Sequence, residues 1–103
     1  MKFRFSDGWV LADMAADVSF SVDTKLTAEQ KKPFINFVCS AASKTLTLDL
    51  DAGDTAIVTN IGGTNSVTVK NVSGDTGTAV AAGKVAFVHA SRTADASKVF
   101  VLN

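Results

Sequence analysis

Several residue types that carry chemistry are almost missing from this chain of 103 residues, which has one Cys, one His, one Trp, one Pro and no Tyr. A single Cys cannot form an internal disulfide or a Cys-rich zinc site. A single His cannot supply the three protein ligands that a catalytic zinc needs. These shortages argue against a disulfide framework and against histidine-rich metalloenzymes of the cupin type.

The chain also has no excess of either charge, because its ten basic and ten acidic side chains give a formal net charge of zero. A balanced charge provides no bulk attraction to nucleic acid or to an anionic membrane. The basic residues are scattered, and only Lys31 and Lys32 are adjacent. We therefore expect neither nucleic acid nor a membrane as a partner.

Long apolar runs are absent too. Charged residues interrupt the start of the chain (MKFRFSD), and Asp13 and Asp17 limit the apolar stretch around residues 9–16. Neither stretch provides the uninterrupted apolar run of a secretory signal, and none approaches the length of a membrane span. We expect a protein made and folded in a cytoplasm, with Cys39 as a small buried apolar residue.

What the chain has in abundance is β-branched residues, with 13 Val and 11 Thr, and nine of its ten acidic residues are Asp. Val and Thr suit strands, whereas Asp favours turns and caps over helix interiors. Residues 44–50 (KTLTLDL) alternate apolar and polar side chains, which predicts a strand. Further strands are predicted at residues 54–60, 65–71, 78–81, 84–90 and 97–102.

Turn signals separate these strands every 8–12 residues, which is typical of a small β-sandwich or barrel. They include the pairs Ala52-Gly53 and Ala82-Gly83, while the segment around Gly62 is expected to form a hairpin loop. We therefore predict a single all-β domain over residues 1–103, with mainly antiparallel strands.

The first 43 residues have a less regular pattern. Strands are predicted at residues 18–22 (VSFSV) and 33–39 (PFINFVC), and residues 1–10 are expected to form an N-terminal arm or an edge strand. Thr27 and Gln30 have the spacing of a capping box, but Pro33 follows closely. The sequence therefore predicts at most one short helical turn near residues 27–32.

An internal likeness links two parts of the second half. Residues 50–58 align with residues 80–88 at an offset of 30, and residues 67–71 align with residues 99–103 at an offset of 32. Duplication of one unit would explain this likeness, and so would the turn residues that β-meanders share. Two copies are too few for a solenoid.

No motif assigns a catalytic, cofactor-binding or metal-binding residue, so we expect a protein that is not an enzyme and has no cofactor. The series Asp49, Asp51 and Asp54 does not fit the register of an EF-hand loop, which leaves either a weak cation patch or a solvated strand edge. His89 has no Gly-x-Ser-x-Gly nucleophile motif to accompany it and is expected to face solvent or an interface.

Aromatic residues offer the best indication of a contact surface. We expect most of the seven Phe residues to lie in the core. Phe3 and Phe5 alternate with basic residues, and Trp9 follows a turn signal. Because Trp is enriched among residues that dominate interfaces, Phe3, Phe5 and Trp9 are our predicted interface residues.

Residues 55–90 (TAIVTNIGGTNSVTVKNVSGDTGTAVAAGKVAFVHA) carry a recognisable order of elements. An apolar strand ends at residues 59–60 (TN), and a glycine loop leads to residues 67–69 (VTV). A turn at residues 82–83 (AG) then opens a second apolar strand. This order resembles the small β-modules of tailed-bacteriophage virion proteins, of the head-decoration and head-fibre type.

The resemblance implies a non-enzymatic protein that decorates or cements a phage capsid, made in the host cytoplasm and located in the virion. Its implied partners are the major capsid protein or another virion protein, and further copies of itself, most often as a trimer. It implies no catalytic residues. The alternative is a β-module of a fibre that binds a carbohydrate or a cell surface.

Overall fold

The computed structural model of the protein describes residues 14–102. The arm predicted at residues 1–10 lies outside the described residues. Within them, the chain forms nine β-strands and one short 3-10 turn. The strands are β1 (Ala15–Phe20), β2 (Thr24–Lys25), β3 (Phe34–Cys39), β4 (Lys44–Thr47), β5 (Thr55–Asn60), β6 (Val67–Lys70), β7 (Thr78–Val80), β8 (Val85–His89) and β9 (Lys98–Leu102).

The strands form two sheets, and the chain passes from the first to the second three times in the same order. The first sheet has the strand order β1-β3-β5-β8-β9 and the second has the order β2-β4-β6-β7. The pairs β1 and β2, β3 and β4, and β5 and β6 therefore make three successive turns of a coil. Each strand of a turn lies parallel to its counterpart in the next turn.

The last three strands end this coil by reversing direction. β7 pairs antiparallel with β6, β8 with β5, and β9 with β8. The predicted all-β class is confirmed, but the expectation of mainly antiparallel strands is corrected, because both sheets are mixed. The segment around Gly62 explains the difference: it does not close a hairpin but carries the chain from β5 in one sheet to β6 in the other.

The strand positions agree with the sequence pattern to within a few residues, except that the two-residue strand β2 was not predicted. β4 is shorter than predicted and ends at Thr47, shortly before Asp49 adopts a positive φ of 56°. The predicted helical turn is a single 3-10 turn over Ala28–Gln30. The Thr27 backbone N–H donates to the Gln30 side-chain Oε1 at 2.9 Å, which fixes the start of this turn.

A single core lies between the two sheets. Alternate residues of each strand point inward, as in β3, where Ile35, Phe37 and Cys39 are buried. They meet residues such as Leu46 and Val69 of the second sheet in one cluster. Burying an apolar side chain of this size contributes about 1.5–3 kcal/mol, so this cluster holds the sheets together. The prediction that Cys39 is buried is confirmed.

The internal likeness at an offset of 30 corresponds to a local two-fold relationship. The Gly53 N–H donates to the Ala90 carbonyl at 2.9 Å, and the Gly83 N–H donates to the Asn60 carbonyl at 2.8 Å. The Gly53 turn, which precedes β5, is therefore hydrogen-bonded to the end of β8. The Gly83 turn, which precedes β8, is hydrogen-bonded to the end of β5. The likeness at an offset of 32 has no such counterpart, because β6 and β9 lie in different sheets.

Candidate interaction surface

The first sheet has an outer face that points away from the core. Side chains of a strand alternate between the two faces, so in β8 the residues Ala86 and Val88 point inward while Val85, Phe87 and His89 point outward. Both faces of this strand carry apolar residues. A five-residue strand that is apolar on both sides places an aromatic ring where a polar residue would normally meet water.

Strand register brings outward apolar residues into a single row. Ala15 lies opposite Phe34 and Phe34 opposite Ile57, while Ile57 lies opposite Phe87 and Phe87 opposite Phe100. We call these five residues the apolar row. Neighbouring strands are about 4.8 Å apart, so the row is about 19 Å long. It crosses the whole sheet.

The row is accessible along much of its length. Phe34 and Phe87 are each 39% exposed and Phe100 is 55% exposed. Leu102, which is 54% exposed, lies opposite Val85 and widens the apolar region on β8 and β9. Single exposed apolar residues are ordinary in soluble proteins, whereas a contiguous patch marks a binding surface.

Polar residues border the row on both sides. On one side Asp17 lies opposite Asn36, whose Nδ2 donates to Asp17 Oδ1 at 3.2 Å. On the other side His89 lies between Thr55 and Lys98. We call the apolar row and these bordering residues together the outer face.

Charge on the outer face is confined to two opposite corners. Among the outward residues of the five described strands, only Asp17 and Lys98 carry a formal charge. Asp17 is on β1, at one edge of the sheet, and Lys98 is on β9, at the other edge. They also lie on opposite sides of the apolar row. The outer face is therefore an apolar strip with a negative corner and a positive corner.

The predicted interface residues Phe3, Phe5 and Trp9 lie outside the described residues. The expectation that Phe residues lie in the core is confirmed for Phe37, which is buried. It is wrong for Phe34, Phe87 and Phe100, which the sequence analysis did not select. Their signal was the double-sided apolar pattern of residues 85–88 (VAFV) and 98–102 (KVFVL), but only the strand register places them in line.

The three carboxylates considered as a cation patch do not form one. Asp49 lies beyond the end of β4, so it does not share a strand face with Asp51. The Asp54 N–H donates to the Asp51 carbonyl at 3.1 Å, so these two residues belong to a turn. In residues 14–102 no group of three or more His, Cys, Asp or Glu side chains is arranged to hold a metal ion.

Asp49 instead joins three basic side chains. One of its oxygens lies 2.7 Å from the Arg92 guanidinium, and the other lies 3.1 Å from Lys31 Nζ and 3.5 Å from Lys25 Nζ. The hydrogen bonds from Arg92 and then Lys31 lower the pKa of Asp49 to about 2. This cluster ties the loop after β8 to the segment between β2 and β3, and its geometry is that of a structural contact.

A second carboxylate, Asp75, also has a structural role. Its oxygens accept hydrogen bonds from the backbone N–H groups of Asn71, Val72 and Asp95. Burial alone would raise the pKa of Asp75, but the donors of Val72, Asp95 and Asn71 outweigh it and leave the pKa below its usual value. Asp75 thereby connects the loop after β6 to the loop before β9.

His89 is exposed on the outer face, as predicted. The part of the chain that the structure describes contains no helix with the length and apolar character required to cross a membrane.

Comparison with known proteins gives no match, whether to a protein-family model, to a curated protein or to a solved structure.

Proposed function

We propose that the protein is a non-enzymatic structural component of a larger particle, in which the outer face of its first sheet makes a subunit–subunit contact. The particle that we propose is the capsid of a tailed bacteriophage, which this protein decorates or cements. The observation that carries the proposal is the apolar row, which runs without interruption from Ala15 on β1 to Phe100 on β9.

The size of the outer face supports a docking role. Five strands at about 4.8 Å spacing, each with about five residues at 3.3 Å, make a face of roughly 300–400 Å² in projection. At about 25 cal/mol per Å², burying it yields about 8–10 kcal/mol before other costs. Association itself costs about 4–15 kcal/mol, so one such contact is weak alone and becomes firm when copies that are joined to one another bind several sites of a common lattice.

The phage assignment draws its support from the resemblance in residues 55–90. These residues form β5, the central strand of the first sheet, together with β6, β7 and β8. They also hold the middle of the apolar row, at Ile57 and Phe87. The likeness therefore falls on the part of the chain that builds the proposed docking face.

The fibre module that binds a carbohydrate is less well supported by the same face. Sugar sites combine an aromatic ring with polar groups that hydrogen-bond the hydroxyls. The apolar row provides phenyl rings at Phe34, Phe87 and Phe100, whereas the hydrogen-bonding side chains of the outer face lie only at the borders of the row. Carbohydrate binding is therefore one of the results that the experiment below distinguishes.

The proposal is tested by counting the protein in purified particles. Phage particles from the source culture are banded by density, and quantitative mass spectrometry measures this chain relative to the major capsid protein. We expect a fixed ratio, which falls at least about tenfold when Phe87 and Phe100 are both changed to Ser. Val22→Ser is the matched control, because Val22 is 64% exposed but lies in the connection between β1 and β2.

Two results would contradict the proposal. One is the absence of the chain from banded particles. The other is binding to a glycan array that Phe87→Ser abolishes, which would assign the outer face to the fibre function.

A further inference from the structure

We infer that the outer face pairs with the outer face of a second copy of this chain, around a two-fold axis that passes through Ile57. This inference deepens the proposed function and rests on it for the role of the outer face: the subunit–subunit contact within the particle joins two copies of this chain. It is carried by the placement of charge and of apolar residues on the sheet.

The two charged corners are self-complementary. Asp17 and Lys98 are separated by four strand spacings across the sheet and by four residues along the strands. A two-fold axis that lies in the plane of the interface, perpendicular to the line from Asp17 to Lys98, exchanges the positions of these two residues. Each Asp17 then meets Lys98 of the second copy, so a single pairing makes two ion pairs at the rim. An unrelated partner would need a matching pair of opposite charges at the same spacing.

The apolar row fits the same axis. The midpoint between Asp17 and Lys98 falls on Ile57, which is the third of the five residues in the row. Rotation about this axis lays one row across the other with Ile57 at the crossing. For a flat sheet of ordinary dimensions the strands of the two copies cross at about 70°, which is close to the orthogonal packing of two sheets.

The area indicates how strong this pairing is. Stable complexes bury about 800 Å² on each partner, whereas the outer face measures roughly 300–400 Å² in projection. The outer face is at most about half of that size, so the pairing is weak and concentration-dependent. Because a two-fold face-to-face contact is the same patch on both copies, it closes at two, which differs from the trimer that the resemblance implies.

Sedimentation equilibrium over a range of concentrations tests the pairing. We expect the mass to rise from the 10.7 kDa of one chain toward twice that value. Phe87→Ser and Phe100→Ser should each raise the dissociation constant at least about tenfold, while Val22→Ser should leave it unchanged. A circular dichroism melt of each variant confirms that it remains folded.

A charge exchange tests the geometry. Asp17→Lys alone and Lys98→Asp alone each place like charges together and should weaken the dimer, and the two changes combined should restore it. A second test changes Ile57 to Cys and adds a short bismaleimide. We expect cross-linked dimers from this variant and none from Val22→Cys or from the native chain, whose Cys39 is only 2% exposed.

The inference is overturned if the chain stays monomeric at every concentration, if it sediments as a trimer, or if the charge exchange does not restore association. It is also overturned if removal of residues 1–13 abolishes the dimer while Phe87→Ser does not, since that result assigns the contact to the N-terminal segment. A monomer that still binds particles through Phe87 refutes this inference alone, and a two-fold dimer absent from particles refutes the proposed function alone.

Discussion

The side-chain amide of Asn71 pairs with the backbone of Leu50 as a neighbouring strand would. Asn71 Oδ1 accepts from the Leu50 N–H at 2.8 Å, and Asn71 Nδ2 donates to the Leu50 carbonyl at 3.2 Å. Nδ2 also donates to the Ser91 carbonyl at 2.9 Å. Because Asn71 is fully buried, water cannot replace these bonds. One side chain therefore holds together the ends of three segments.

We predict that Asn71→Ala destabilises the protein by about 2–4 kcal/mol, because it removes three hydrogen bonds and leaves the buried Leu50 N–H without this partner. The Leu50 carbonyl keeps the Arg92 guanidinium at 3.3 Å, and the Ser91 carbonyl keeps the Ser97 hydroxyl at 3.0 Å. Urea unfolding followed by circular dichroism measures this cost. Asn60→Ala is the matched variant, because Asn60 is equally buried but its Nδ2 makes two bonds and its Oδ1 has no partner among residues 14–102. An equal or larger cost for Asn60→Ala would contradict this account.

The sequence predicted the strands well because their signal is local. Alternation of Leu46 and Leu48 with polar residues is visible in a few residues of chain, and both side chains are buried as this pattern requires. The role of Asn71 was not visible. An Asn at the end of a strand is typical of a turn, and nothing in its neighbours indicates that it reaches Leu50, which lies 21 residues earlier in the chain.

The pairing of strands could not be predicted for a related reason. Phe34 faces Ile57, which is 23 residues away, and Ile57 faces Phe87, which is 30 residues away. Whether the segment around Gly62 closes a hairpin or crosses to the other sheet is decided by how the two apolar faces pack, not by its own residues. The apolar row depends on both facts, so sequence patterns predicted its strands but not the surface they form.

Asp49→Asn should reduce stability at neutral pH, because it removes the negative charge from between three basic side chains. Asn keeps the shape of the side chain and tolerates the positive φ of 56° at this position. The pKa of Asp49 is lowered to about 2 in the folded protein from 3.8. Its contribution is therefore complete above about pH 4 and is lost as the pH falls toward 2.

Urea midpoints at several pH values measure this effect. The native protein should exceed Asp49→Asn at pH 7, and the difference should close between about pH 4 and pH 2. High salt should narrow the difference, because the Lys25 and Arg92 side chains are 65% and 51% exposed. Asp51→Asn is the control, since Asp51 makes no ion pair within residues 14–102. A pH-independent difference would contradict the role of the charge.

Asp75→Asn should cost about 2–3 kcal/mol at neutral pH, because one acceptor oxygen becomes an NH₂ group that faces backbone donors. The folded-state pKa of Asp75 lies below its usual value of 3.8, so the native advantage is present above that value and is lost as the pH falls through the folded pKa. Unfolding free energies at pH 7 and pH 3 check this. A larger advantage at pH 3 than at pH 7 would contradict it.

Alanine substitutions at Gly77 and Gly53 distinguish the cost of backbone conformation from the cost of a steric clash. Both have a positive φ, of 83° and 88°. A Cβ on Gly77 would lie 2.6 Å from Thr68 Cγ2 and 3.1 Å from the Val69 carbonyl oxygen, whereas a Cβ on Gly53 meets nothing within 4 Å. Gly53→Ala should therefore cost only the conformational penalty of about 1–2 kcal/mol.

Gly77→Ala should cost at least about 2 kcal/mol more than Gly53→Ala, because Thr68 is on β6 and cannot withdraw without disturbing the pairing of β6 with β7. Urea unfolding of both variants gives the difference. Thr68→Ser removes the methyl group that Gly77→Ala meets, so the double variant should recover part of the loss. Equal costs for the two glycine variants, or no recovery in the double variant, would show that β6 and the Gly77 turn are not packed as closely as this geometry requires.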